Sequence, residues 1–147
     1  MRISEWMSPQ PITVPPATPV SDARELMQRE RIRHLLVMTG ERLVGIITDR
    51  DIRLVLPSPA TSLSVWEVHY ILAKMTVEQV MTRSVIAIAP DRPVVEAVRV
   101  MLERKIGALP VAEGWHVVGI ITETDLLRAF AVVLDRYPEL APLGAQA

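Results

Sequence analysis

Two stretches decide the reading: Gly45-Ile46-Ile47-Thr48-Asp49-Arg50-Asp51 and Gly119-Ile120-Ile121-Thr122-Glu123-Thr124-Asp125. Both have the form Gly-Ile-Ile-Thr-x-x-Asp. The β-branched run before each Thr reads as a buried strand. The Thr ends that strand, and the Asp three positions later falls in the first turn of a following helix.

Working outward, residues 7–54 align with residues 81–128 at a constant offset of 74 and without a gap. Identical pairs include Met7/Met81, Pro19/Pro93, Ala23/Ala97, Met27/Met101, Ile32/Ile106, Leu35/Leu109, Gly40/Gly114 and Gly45/Gly119. In all, 17 of 48 positions match, where composition alone would give roughly one in fifteen. The chain is an internal duplication.

Each copy carries the same local signals. An extended stretch (Ile12–Val14; Val85–Ile88) enters a Pro-bearing loop. A helix follows, with Val20, Ala23 and Met27, or Val94, Ala97 and Met101, on one face at i, i+3, i+7. A strand (His34–Met38; Ala108–Ala112), a turn at Gly40 or Gly114, and a second strand (Leu43–Thr48; Val117–Thr122) come next. The unit is β-α-β-β-α. One such unit is too small to cover its own sheet, so an α/β (α+β) fold of two repeats packed face to face through their sheets is expected. The expected division is repeat one at 1–56, a linker with a helix at 57–75, repeat two at 76–135 and a loose tail at 136–147. In the linker, Leu56–Thr61 reads as exposed. Ser64 and Glu67 have capping-box spacing for a helix to about Lys74, with Val65, Trp66, Tyr70 and Ile71 as its expected buried side. A further short helix is expected at Val77–Met81.

Composition excludes several classes. The chain has 147 residues, 50% of them hydrophobic and 22% charged, so a disordered chain is ruled out. With 16 Lys+Arg against 17 Asp+Glu, it lacks the basic surplus of a general nucleic-acid binder. Cys is 0, which removes disulfides, thiolate nucleophiles and Cys-ligated metals. No apolar run reaches the roughly 18 residues that span a bilayer, and no apolar signal core opens the chain. A cytoplasmic protein that contacts neither membrane nor nucleic acid is expected.

The duplicated motif suits a nucleotide. Backbone N–H groups at a helix N-terminus attract phosphate, and the Thr hydroxyl can join them. The Asp carboxylate can accept two charge-assisted hydrogen bonds from a ribose cis-diol. Gly45 and Gly119 permit close backbone approach. Equally, a strand-end Thr and a first-turn Asp are ordinary capping residues.

The repeat resembles the CBS domain, named after cystathionine β-synthase. The matching text is Thr18-Pro19-Val20, Ile32-Arg33-His34-Leu35-Leu36-Val37 and Gly45–Asp51, with Ile106-Gly107-Ala108-Leu109-Pro110-Val111 and Gly119–Asp125 in the second copy. The whole looks like a stand-alone tandem pair of the bacterial, acetoin-utilisation-like type. The resemblance implies two clefts between the repeats that take adenine nucleotides (AMP, ADP or ATP) as regulatory ligands. One cleft would use Ile12, Ile32, Arg33 and His34 with Thr122 and Asp125. The other would use Ile86, Ile106, Gly107 and Ala108 with Thr48, Arg50 and Asp51. It also implies an energy sensor that signals to a protein partner in trans. Leu36 departs from the family's Pro, which Pro110 keeps, and a change in loop stiffness is expected there.

Catalysis finds little support. His34, His69 and His116 form no H-x-x-H pair, and there is no Gly-x-Ser-x-Gly elbow or phosphate-binding Walker loop. No enzyme activity, required cofactor or metal is expected. The rival reading is a structural module with empty clefts. Finally, Val95, Val98 and Leu102 form a second apolar stripe on the repeat-two helix, where repeat one has polar Ser21, Arg24 and Gln28. A homodimer through the repeat-two helices is expected.

Overall fold

Helices α1 (Val20–Glu30) and α5 (Val94–Arg104) begin directly after Pro19 and Pro93, whose φ values of −58° and −69° suit a helix entrance. Each buries the triplet its sequence spacing singles out: Val20, Ala23 and Met27 in α1, and Val94, Ala97 and Met101 in α5. Each stops on a left-handed residue, Arg31 or Lys105, both at φ 54°. In this computed structural model residues 1–57 and 62–140 are described. The described chain is mixed α/β, with two three-stranded sheets. It forms two compact bodies, and neither is a continuous stretch.

The first body comprises residues 10–86 and 114–117. Its sheet runs β2 (Thr13–Val14), β3 (His34–Thr39), β4 (Arg42–Thr48), with β2 parallel to β3 and β3 antiparallel to β4. The β3–β4 hairpin turns on Gly40 at φ 59°, a left-handed position that favours glycine. Helices α2 (Asp49–Leu54), α3 (Val65–Ala73) and α4 (Val77–Val80) complete this body. Its core joins Val20, Ala23 and Met27 to Leu35, Val37, Ile47, Ile52, Val68, Leu72, Val77 and Met81. Ser64 starts α3 as its spacing predicts: its Oγ accepts the Glu67 N–H at 3.2 Å. The expected buried side of α3 is corrected. Trp66 is 83% exposed, and Val65 and Tyr70 are exposed too, while Val68 and Leu72 are buried. The large aromatics point away from α1, and the i, i+4 aliphatic pair packs on it. Part of the predicted exposed linker, residues 58–61, and the end of the predicted loose tail, residues 141–147, lie outside the described residues.

The second body comprises residues 1–9, 87–113 and 118–140. Its sheet runs β1 (Ser8–Pro9), β6 (His116–Thr122), β5 (Ala108–Glu113). β1 is antiparallel to β6, with Ser8 opposite Ile120 and Pro9 opposite Gly119. A 3-10 turn at Ile3–Glu5 precedes β1, and α6 (Glu123–Arg136) follows β6. Ile3 is wholly buried in a core with Ile88, Val94, Ala97, Met101, Leu109, Val111, Ile121 and Ala129. Backbone bonds anchor the leading segment: Ile3 N to Arg92 O and Ser4 N to Pro90 O, both at 2.9 Å, and Val94 N to Met1 O at 3.1 Å.

The first nine residues therefore complete the core of the body that holds repeat two. In the same way, the residues leading into repeat two serve the first body. Val77 and Met81 enter its core. Thr82 pairs with Ile46 through two backbone bonds of 2.9 and 3.0 Å. The duplication exchanges its leading segments, which an alignment by offset does not reveal.

A second correction concerns Val85–Ile88. Only Ile88 bridges β5, opposite Val111. In the first body Leu36 N–H donates to Ile12 O at 3.4 Å. Pro110, at the matching position of β5, has no N–H to donate. The Leu36/Pro110 difference is thus a difference in strand pairing, and the repeat-two strand shrinks to one bridge.

Candidate functional site

Each Gly-Ile-Ile-Thr-x-x-Asp motif folds as its residue types dictate. The Ile pair runs into the sheet, with Ile47 and Ile121 fully buried. Thr48 and Thr122 leave the strand in extended conformation and act as N-caps of α2 and α6. The strand-to-helix corner lies beside the start of the partner strand in the same hairpin. His34 is opposite Thr48, and Arg33 O accepts the Asp49 N–H at 2.9 Å. In the second body Gly107 O accepts the Glu123 N–H at 3.0 Å.

One end of the first hairpin thus collects Ile32, Arg33, His34, Thr48, Arg50 and Asp51, and Ile12 lies beside β3. The matching end of the second hairpin collects Ile106, Gly107, Ala108, Thr122 and Asp125. Ile86 belongs to the first body and is partly exposed.

The capping chemistry is committed in part. In the first motif Asp51 N–H donates to Thr48 Oγ1 at 3.1 Å, and Thr48 N–H donates to Asp51 Oδ2 at 2.9 Å. This is a reciprocal capping box. The Thr48 hydroxyl oxygen and two first-turn N–H groups are therefore used inside the motif. In the second motif Asp125 Oδ2 accepts both the Thr122 N–H at 2.9 Å and the Thr122 hydroxyl at 3.0 Å. Asp125 is also buried, 4% exposed. Arg128 Nη1 lies 3.4 Å from its Oδ1.

The two glycines have a partner that the sequence does not disclose. A Cβ on Gly119 would lie 2.7 Å from Met7 Sδ and 2.8 Å from Ser8 O. One on Gly45 would strike Met81 Sδ and come within 3.0 Å of Thr82 O. The close approach these glycines allow is taken up by the exchanged leading segments, within each body. The identical pair Met7/Met81 is its sequence signal.

Charge separates the motifs. Arg33 and Arg50 are exposed at the first, where the second has Gly107 and Thr124. Arg53 is drawn away into an i, i+4 pair with Asp49 at 3.4 Å. Among the described residues no group of three or more His, Asp or Glu could hold a metal ion, and no helix is long and apolar enough to cross a membrane.

The CBS domain model matches residues 3–58 and again 77–132. The chain belongs to the CBS domain family. Solved CBS pairs share its fold. The CBS domain pair of protein MJ0100, in complex with 5′-methylthioadenosine and S-adenosyl-L-methionine, is 29% identical with a TM-score of 0.75, covering 90% of this chain and 97% of that one. CBSX2 in complex with AMP is 28% identical with a TM-score of 0.75, again covering 90% and 97%. A putative acetoin utilization protein (AcuB) from Vibrio cholerae is 26% identical with a TM-score of 0.75, covering 95% and 96%. Among curated relatives, the A-adding tRNA nucleotidyltransferase of Geobacter sulfurreducens is 32% identical over 125 residues, which are 85% of this chain and 13% of that protein. The chain spans less than half the length of the first curated relatives it matches. The CBS pair is the part it shares with them.

Proposed function

We propose that this CBS pair is a cytoplasmic regulatory module that binds adenine nucleotides and reports their level to a protein partner in trans. The observation that carries the reading is the first motif. Its capping box holds Asp51 in place through Oδ2 and leaves Oδ1 to accept a ribose hydroxyl, with Arg50 and Arg33 exposed nearby for phosphate. Thr48, Arg50 and Asp51, and in the second motif Thr122 and Asp125, form the sugar and phosphate side. Ile12, Ile32, His34, Ile86, Ile106, Gly107 and Ala108 form the base side. The adenosine ligands of MJ0100 and CBSX2 support this ligand class. Regulation would be differential: ligand and partner each favour one of two conformations and so bias one another.

Calorimetry with AMP, ADP, ATP, NADH and S-adenosylmethionine tests the reading. Heat with at least one adenylate is expected. The double variant Asp51→Ala/Asp125→Ala should bind at least tenfold more weakly, since each charge-assisted hydrogen bond is worth about 1.5–3 kcal/mol. A second reading has its own observation: both carboxylates already cap a helix, as they would in a structural module without ligand. No heat with any adenylate would select it.

The assembly proposed is a homodimer. On α5 Val95 is 49% and Leu102 is 74% exposed, with Val98 partly buried between them. On α6 of the same body Leu127 and Phe130 are exposed. In the first body α3 packs on α1, and Ser21, the counterpart of Val95, is buried. Sedimentation at micromolar concentration is expected to give a dimer, and Leu102→Glu a monomer with an unchanged melting curve. A monomeric wild type would refute it.

A further inference from the structure

We infer that the two Thr–Asp motifs are unequal, and that Arg128 keeps the second one shut. The inference rests on the adenine-nucleotide reading and says which motif takes the ligand. A carboxylate that receives a cis-diol needs acceptor positions free on its oxygens and a path to them. At Asp51, half-buried, Oδ2 carries the Thr48 N–H, and among the described residues Oδ1 carries no ion pair or hydrogen bond. The Thr48 hydroxyl accepts from the backbone and leaves the carboxylate alone.

At Asp125 the capping box forms again, but the carboxylate carries further partners. The Thr122 hydroxyl turns to donate to Oδ2, which then holds two hydrogen bonds. The Arg128 guanidinium occupies Oδ1 at 3.4 Å, and the Asp125 side chain is only 6% exposed. The cause lies in one position. Arg128 stands three residues after Asp125, on the same side of α6. Its counterpart after Asp51 is Leu54, which is exposed and has no charge to offer. Arg128 is thus an internal cation on the carboxylate that the ribose would need. The first motif is left open, and it also keeps Arg33 and Arg50, which the second lacks.

Titration calorimetry with AMP on the full chain and three single variants decides the matter. The wild type is expected to bind about one AMP per chain. Asp51→Asn, which keeps a cap acceptor, should weaken that event at least tenfold, the cost of a charge-assisted bond. Asp125→Asn should cost less binding than Asp51→Asn, because Thr122 and Arg128 already engage that carboxylate. Arg128→Ala should add a second binding event to an unchanged first, since the Arg128 side chain is itself largely exposed and Asp125 keeps its two Thr122 bonds. Two equal events in the wild type would overturn the inference and leave the nucleotide reading standing. So would a larger loss from Asp125→Asn than from Asp51→Asn, or weaker binding with Arg128→Ala, which would make Arg128 a ligand contact. Absence of heat in every protein would overturn the nucleotide reading itself, and the inference with it.

Discussion

Ile3→Ala is expected to lower the stability of the second body by about 2–5 kcal/mol, the usual range for emptying a large aliphatic site in a packed core. For a chain of this size that corresponds to a fall in melting temperature of roughly 5–15 °C. Ile3 has no exposed surface and touches a core otherwise made from residues 88–129. The loss has a ceiling, because the leading segment can detach as a unit once its anchor is gone. Hydrogen exchange reads that event directly. The amides of Ile3, Ser4 and Val94, bonded to Arg92 O, Pro90 O and Met1 O, should lose protection together. The Ile46 and Thr82 amides, bonded to each other's carbonyls in the first body, should keep it. A melting curve within a degree of wild type would mean that residues 1–9 do not belong to this core.

Gly119→Val should be the next most damaging change. The added Cβ meets Ser8 O at 2.8 Å and Met7 Sδ at 2.7 Å. The thioether can swing aside, but the carbonyl belongs to a strand paired with β6 on both sides of the contact. Overpacking of this kind costs about 1–3 kcal/mol, and the clash with backbone places it at the upper end. The informative control is Gly114→Ala. Gly114 has φ 59° and no atom within 4 Å of its would-be Cβ, so that change costs only the left-handed strain, about 1 kcal/mol. Differential scanning calorimetry of the two variants ranks them. Gly119→Val melting above Gly114→Ala would show that the Met7–Ser8 crossing is not tight. Gly45→Val should behave like Gly119→Val, through Met81 and Thr82.

Much of this was legible in the residues, and the failures have physical reasons. The hairpins could be read because the β-branched run Gly45–Thr48 and its copy have only one comfortable conformation, and because Gly40 and Gly114 mark the turns. The triplets Val20/Ala23/Met27 and Val94/Ala97/Met101 gave the helix faces directly. The exchange of leading segments was invisible because β1 is two residues long and polar on its exposed face. A strand that short has no periodicity to detect. The α3 face was misjudged because Trp66 and Tyr70 carry most of that helix's apolar area, whereas packing on α1 selects the smaller Val68 and Leu72. At the candidate site the residue types were legible, and their allocation was not. Sequence spacing cannot tell whether a capping Thr hydroxyl will also donate to the carboxylate, as at Thr122, or leave it alone, as at Thr48. Arg128 lies three residues beyond the motif, so no pattern within the motif announces its contribution.

The pairing of Ser8 with Ile120 closes a loop of about 110 residues, among the most remote contacts the chain makes. During synthesis residues 1–9 must wait for residues about 110 positions further along to emerge before they find their place. Residues 10–86, by contrast, hold nearly all of the first body's core and can consolidate while the rest is still being made. The order of assembly is thereby inverted for one short piece: residues 1–9 are made before residues 10–86 and dock after them.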